Sequence, residues 1–217
     1  MQTIKINDIE IFPGEGNIQI NDIQGHDLLA IWDKLTTQYP GYELVLCFRN
    51  MQAPMDALSS IGATLLEDCI DFRVSPDEFV PHDGANISLL EKSEFEEFAK
   101  LHDTIANADF YWTSPLVWQE WDIWRICVYK KNGKITGYSM IMVEMRDNTI
   151  GEVFAVEADS PAVRMSLLSA AVKAAFEMGK SCVVNMVERD DTHGHEATLA
   201  LGFREVGYYR GYIVRSI

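Results

Sequence analysis

The stretch from Thr149 to Arg215 constrains the fold most, because its hydrophobic pattern switches repeatedly between a strand period and a helix period. Thr149 to Val156 (TIGEVFAV) alternates, is rich in β-formers and reads as a strand. Asp159-Ser160-Pro161 supplies an N-cap candidate followed by proline, the pair that opens a helix. From Ala162 onward, Met165, Leu168, Val172 and Ala175 fall three and four apart, on one helical face, and Gly179 is a natural stop. Ser181 to Val187 (SCVVNMV) is the short apolar run of a strand covered on both faces. A short helix over about His195 to Leu201 ends at Gly202, and Phe203 to Val214 is extended and aromatic. Strand, helix, strand, helix, strand predicts an α/β fold with a central mixed, twisted sheet and helices on both faces.

This order resembles the acyl-CoA-binding half of the GNAT N-acetyltransferases. The residues that carry the resemblance are Phe154-Ala155-Val156 before the long helix, Val183-Val184-Asn185 after it, and Ala197 to Phe203 (ATLALGF). Ile87 to His102 resembles the family's first strand and first helix, and Arg125 to Val143 its second and third strands, with Asn132-Gly133 as a type I′ hairpin turn. The resemblance spans roughly Asn86 to Val214.

Residues 1 to 80 repeat the pattern. Two short strands flank Pro13-Gly14; Asp27 to Gln38 is helical; Tyr42 to Phe48 is a strand; Ala53 to Ile61 is a short helix; Leu65 to Val74 is a strand. Gly41 and Gly62 follow the two helices as Gly179 and Gly202 follow the later two, and Gly62 to Val74 and Gly202 to Val214 have the same spacing of 12. Two copies of one supersecondary unit are expected. Residues 1–75 then form a truncated GNAT-like half-unit, 76–85 a linker (Ser75 to Ala85 holds two prolines and a glycine), and 86–217 a GNAT-like domain. The family's last strand is not found after the strand that follows Gly202-Phe203. The N-terminal half is expected to complete the sheet, by direct pairing or by pseudo-symmetric packing.

The net charge of −15 argues against a nucleic-acid partner. It is compatible with a cationic amine substrate, and also with a charge that merely keeps the protein soluble. No run approaches the ~20 apolar residues that span a bilayer, and the N-terminal sequence lacks the form of a secretory signal. Cys47, Cys69, Cys127 and Cys182 are far apart and suggest buried thiols in a cytoplasmic protein, with no metal site.

The resemblance implies an acetyl-CoA-dependent N-acyltransferase acting on a small or peptidic amine. The backbone of Phe154, Ala155 and Val156 would pair with the pantetheine arm. Amides at the start of the long helix, at Ala162, Val163, Arg164 and Met165, would cradle the pyrophosphate. The loop Glu157 to Met165 departs from the family's pattern: it has no glycine, Pro161 removes an N–H, and Arg164 is its one cation. The base position falls on Glu152, with Glu144 as a second candidate. Strand alternation puts Glu152, Phe154 and Val156 on one face, where apolar neighbours would raise the carboxyl's pKa. The position of the family's general-acid tyrosine holds Thr198, which leaves Tyr208, Tyr209 or Tyr212 as substitutes. Asp190-Asp191-Thr192-His193-Gly194-His195 stands where an asparagine is usual. His193 and His195 read as surface polarity, a metal pair, or an acid or base. Ser93 and Glu96 are spaced as a capping box. Trp118 and Trp121 lie three apart on one predicted helical face, and Trp112 or Trp118 would rim the acceptor site. The missing glycines, tyrosine and asparagine together fit a second reading, a non-catalytic ligand- or protein-binding module. The acceptor amine and the oligomeric state, a homodimer included, are left open.

Overall fold

The computed structural model describes residues 4–6, 9–13, 17–21, 26–105, 112–143 and 148–215. The chain divides into two compact units: residues 1–71 with 207–217, and residues 72–206.

The first unit holds strands β1 (Ile4–Ile6), β2 (Ile9–Pro13), β3 (Asn17–Ile20) and β4 (Glu43–Arg49), and helices α1 (Leu28–Gln38) and α2 (Met55–Ser60). It also holds most of β5 (Thr64–Val74) and of the last strand, β11 (Arg204–Val214). The sheet order is β1-β2-β3-β4-β11-β5. β3 and β4 run parallel, joined by α1, which starts where the Asp27 carboxylate accepts the Leu29 N–H at 3.0 Å. Leu28, Ile31 and Leu35 of α1 pack on Ile18, Ile20, Leu44, Leu46 and Phe48. β11 pairs antiparallel with β4, from Tyr209↔Arg49 to Val214↔Leu44. Of the two ways expected for the N-terminal half to meet the C-terminal strand, direct pairing is the one found.

The second unit holds β6 (Ile87–Leu89), α3 (Phe95–Ile105), α4 (Ser114–Gln119), β7 (Trp124–Lys131), β8 (Lys134–Met142), β9 (Ile150–Glu157), α5 (Pro161–Glu177), β10 (Cys182–Glu188) and α6 (Thr192–Ala200). Its sheet runs β10-β9-β8-β7-β6. β9 and β10 are parallel, and the other pairs antiparallel. α3 and α4 cover one face, where Phe98 and Val117 meet Trp124, Ile126, Val128, Tyr138 and Met140. On the other, Val163 and Leu167 of α5 pack with Cys127 and Val156. The α/β class and the two-sided helical cover are as expected. The β7–β8 turn carries positive φ at Asn132 (54°) and Gly133 (77°), as its type I′ sequence requires.

The repeat is present in the backbone. Each copy reads strand, helix, parallel strand, helix, strand, and each last strand has 11 residues. The paired glycines share the left-handed region: Gly41 and Gly179 at φ 83° and 81°, Gly62 and Gly202 at 71° and 88°.

Three local expectations are corrected. Ser93 is not the cap of α3: a 3-10 turn at Lys92–Glu94 precedes the helix, and the Glu91 N–H donates to Glu94 Oε2 at 3.4 Å. α4 ends at Gln119, so Trp121 lies beyond it and Trp118 is 48% exposed. α6 starts three residues earlier than expected, because the Asp191 carboxylate caps it through the Gly194 N–H. The stretch read as a linker is irregular but bonded along the second unit. Phe79 packs edge-on against Phe176, Val80 N–H donates to the Leu201 carbonyl at 3.0 Å, and His82 N–H donates to Ser169 Oγ at 2.9 Å.

Gly202 and Gly41 differ in one respect. A Cβ at Gly202 would stand 2.1 Å from the Glu78 carbonyl oxygen, whereas one at Gly41 meets nothing within 4 Å. Gly41→Ala is expected to cost about 1–2 kcal/mol, the left-handed penalty alone. Gly202→Ala should cost clearly more, because the stretch after Ser75 must also move. Urea unfolding of the two variants measures the difference; equal losses would mean that this stretch yields freely.

Candidate functional site

Two adjacent parallel strands part in the second unit. β9 and β10 pair at Cys182↔Ile150, Val183↔Gly151, Val184↔Glu152 and Asn185↔Val153, and then no further. β9 runs on to Glu157 and β10 to Glu188. On its other side β9 keeps its partner: Met140 and Ile141 of β8 face Ala155 and Val153, so Phe154 is a bulge without an opposite residue. A bulge bends the strand and takes a backbone group out of the ladder.

A cleft of about 180 Å³ opens between the parted ends. Val153 to Glu157 form one wall and Asn185 to Glu188 the other; Arg164 and Leu168 of α5, with Asp191, Gly194, Ala197 and Thr198, complete the lining. Beneath it, Asn185 Nδ2 donates to Thr198 Oγ1 at 2.9 Å, and Thr198 donates to the Gly194 carbonyl at 2.7 Å. Those bonds commit the Thr198 hydroxyl proton, so Thr198 does not stand in for an acid.

Phe154, Ala155 and Val156 all line the cleft, but not as one alternating row. Phe154 and Ala155 pack with Trp124, Tyr138 and Met140, whereas Val156 packs on the α5 side with Val163 and Leu167. The expected common face of Glu152, Phe154 and Val156 is broken by the bulge, which shifts the alternation by one residue. Glu152 is 8% exposed. The rung Trp124↔Met142↔Glu152 puts it on the Trp124 face of the sheet, one residue before the cleft wall begins. Glu144 lies outside the described residues.

At the start of α5, Ser160 Oγ accepts the Val163 N–H at 3.4 Å and Pro161 has none, which leaves the first turn the Ala162 amide to offer. Val163 turns its side chain into the core, and of the four helix residues Arg164 alone lines the cleft. Its guanidinium forms a two-pronged bond with Asp191, Nη2 to Oδ2 at 2.7 Å and Nη1 to Oδ1 at 2.8 Å. Glu157 stands nearby. Burial pushes its carboxyl above the usual carboxylate range, against the pull of Arg164 and with a further push from Asp191.

On the other face, Trp112, Trp124 and Phe154 pack nearly at right angles, with centroids 5.0 Å apart for the tryptophans and 5.2 Å for Trp124 and Phe154. Buried His102 joins Tyr138 Oη at 2.8 Å and the Trp112 carbonyl at 2.6 Å, fixing the chain that leads into α4. Trp112 therefore borders Phe154. Exposed Trp118 stacks obliquely on Phe95 instead.

Of the remaining candidates, none is among the described residues that line the cleft. Tyr209 Oη meets Cys47 Sγ at 2.9 Å and Tyr212 Oη meets Met55 Sδ at 3.4 Å, both within the first unit. His193 pairs with Glu196, while the His195 ring rests edge-on against Phe72 with Nε2 on the Glu188 carbonyl at 3.0 Å. The two imidazoles do not share a point. Sequence reasoning missed Asp191 and Glu157 as parts of the cleft and saw only charge; the legible signal was Asp191 three positions before Gly194, an N-cap spacing.

No family model matches the sequence, and no curated protein matches it. Solved structures do. A GCN5-related N-acetyltransferase from Kribbella flavida matches at TM-score 0.67 and 12% identity, over 97% of this chain and 88% of its own. A protein of unknown function from Staphylococcus epidermidis gives 0.67 at 12%, over 100% and 94%. A tandem GNAT protein from the clavulanic acid biosynthesis pathway gives 0.64 at 13%, over 95% and 78%. The chain has the fold of the GNAT N-acetyltransferases.

Glu157 yields a pH test. Its folded carboxyl holds a proton more tightly than the unfolded one. The stability it contributes is therefore fully present below the unfolded pKa and is lost as pH rises through the folded one. Glu157→Gln should melt higher than wild type at neutral pH, and the gap should close in acid. Parallel melting curves across that range would refute the assignment.

Proposed function

We propose that this protein is an acyl-CoA-dependent N-acyltransferase, with acetyl-CoA as donor and a small or peptidic amine as acceptor, working in the cytoplasm. The observation that carries the reading is the parting of β9 from β10 opposite the bulge at Phe154. An extended thioester arm fits between two strands that no longer bond each other and takes up backbone groups of Phe154, Ala155 and Val156. A carbonyl beside the bulge meets an N–H outside the ladder, which polarises it toward the tetrahedral intermediate. Ala162 and Arg164, with Val163 and Met165 behind them, form the phosphate end. The amine enters from the Trp112 and Trp124 side. Glu152 takes its proton, with Glu144 as second candidate; the amine attacks the thioester carbon directly, the C–S bond breaks, and the CoA thiolate leaves and takes a proton from solvent. We further read 86–217 as the transferase part and residues 1–75 as its truncated copy.

One observation favours the second reading, a non-catalytic ligand- or protein-binding module: the Thr198 hydroxyl proton is engaged by the Gly194 carbonyl, and position 198 is not a tyrosine.

The melting temperature with and without millimolar acetyl-CoA separates the two. At ~100 times the dissociation constant a donor stabilises by about 2.7 kcal/mol, a shift of several degrees at this size. Given a shift and an acceptor found by screening, Glu152→Gln should lower the acetylation rate about a hundredfold or more while melting like wild type. Wild-type rate in that variant removes Glu152 as the base, and no shift at saturating donor leaves the binding module.

A further inference from the structure

Among the described residues that line the cleft, Arg164 is the one cation, and its fork is already filled. Asp191 holds both prongs, at 2.7 and 2.8 Å, and the same carboxylate accepts the Gly194 N–H at 2.9 Å at the start of α6. One internal anion thus sits between a guanidinium and a helix N-terminus, and all of these groups line the cleft. A phosphate would seek the same surroundings, because guanidinium binds carboxylate and phosphate through the same planar two-bond geometry. Around it the cleft adds Glu157 and Glu188, so the charged lining among the described residues is three carboxylates to one guanidinium.

We propose that Asp191 is a built-in competitor for the donor's phosphate. Donor binding at this cleft is an exchange of anions on Arg164, and Asp191 sets how strongly the site discriminates against phosphorylated ligands. This inference rests on the reading of the cleft as an acyl-CoA site. No covalent step is involved: the Arg164–Asp191 bonds open, Arg164 turns to the phosphate, and Asp191 keeps its bond to Gly194 N–H as the cap of α6. The pair is about one-quarter exposed on both sides (27% and 28%), so it is strong enough to matter and accessible enough to exchange.

Asp191→Asn tests it, because asparagine caps a helix about as well as aspartate yet removes the carboxylate that holds the Arg164 fork. Calorimetric titration with acetyl-CoA should show binding about fivefold tighter in the variant, the effect of a partly exposed ion pair. S-acetylpantetheine, which carries no phosphate, should bind both proteins alike. In an Arg164→Met background the gain from Asp191→Asn should vanish, since nothing remains to compete for. Asp191→Ser, another neutral cap, serves if the asparagine variant folds poorly. Acetyl-CoA affinity that is unchanged or weaker in the neutral-cap variants, or an equal gain for S-acetylpantetheine, overturns the inference and leaves the transferase reading intact. Absence of acetyl-CoA binding to wild type and variants alike overturns both.

Discussion

The site depends on a ladder that stops. β9 and β10 share four rungs and then diverge, although both strands continue. Parallel neighbours in a sheet ordinarily pair to their ends, because an unpaired backbone group away from water costs about as much as a lost hydrogen bond. Here three features hold the divergence open. β9 remains paired with β8 from Glu152 to Glu157 on either side of the bulge, so it cannot follow β10. α5 is anchored under β9 by Val163 and Leu167, with Gly151 giving a close approach to Ala175. On the far wall Asn185 and Thr198 lash β10 to α6. The result is a slot lined by backbone, suited to an extended chain.

The same divergence explains the electrostatics. The N-termini of α5 and α6 are joined beside the slot by the Arg164–Asp191 pair, and both are capped by side chains, Ser160 and Asp191. A site that would grip an outside anion through amides and a guanidinium is instead largely satisfied from within. That is why Arg164 and Asp191 are best understood as one unit, and why Glu157 feels two opposing neighbours at once.

Much of this was legible in the sequence. The period switches of residues 149–215, the glycines behind each helix and Asn132-Gly133 are local signals, and the elements follow them within a few residues. What the sequence concealed were relations between distant residues. A bulge at Phe154 has no compositional mark, yet it reverses the face of Val156. Trp118 and Trp121 looked like helical neighbours because their spacing is right, but α4 stops at Gln119. Ser93 and Glu96 had capping-box spacing, while Glu91 and Glu94, with the same spacing, took the role. Asp191 could be read as a cap but not as the partner of Arg164, 27 positions earlier.

The pairing of β11 with β4 bears on how the chain folds during synthesis. Cys47 and Tyr209, which touch across that pair, are 162 positions apart. When the ribosome has completed β1 to β5, the edge of β4 that will receive β11 has no partner, and its groups lie open for the whole time the second unit is made. An open edge of apolar strand is a template for wrong pairing, and contacts so remote in sequence form slowly. The first unit therefore begins first and finishes last, and the acidic surface that keeps such an intermediate dispersed matters most before the native fold exists.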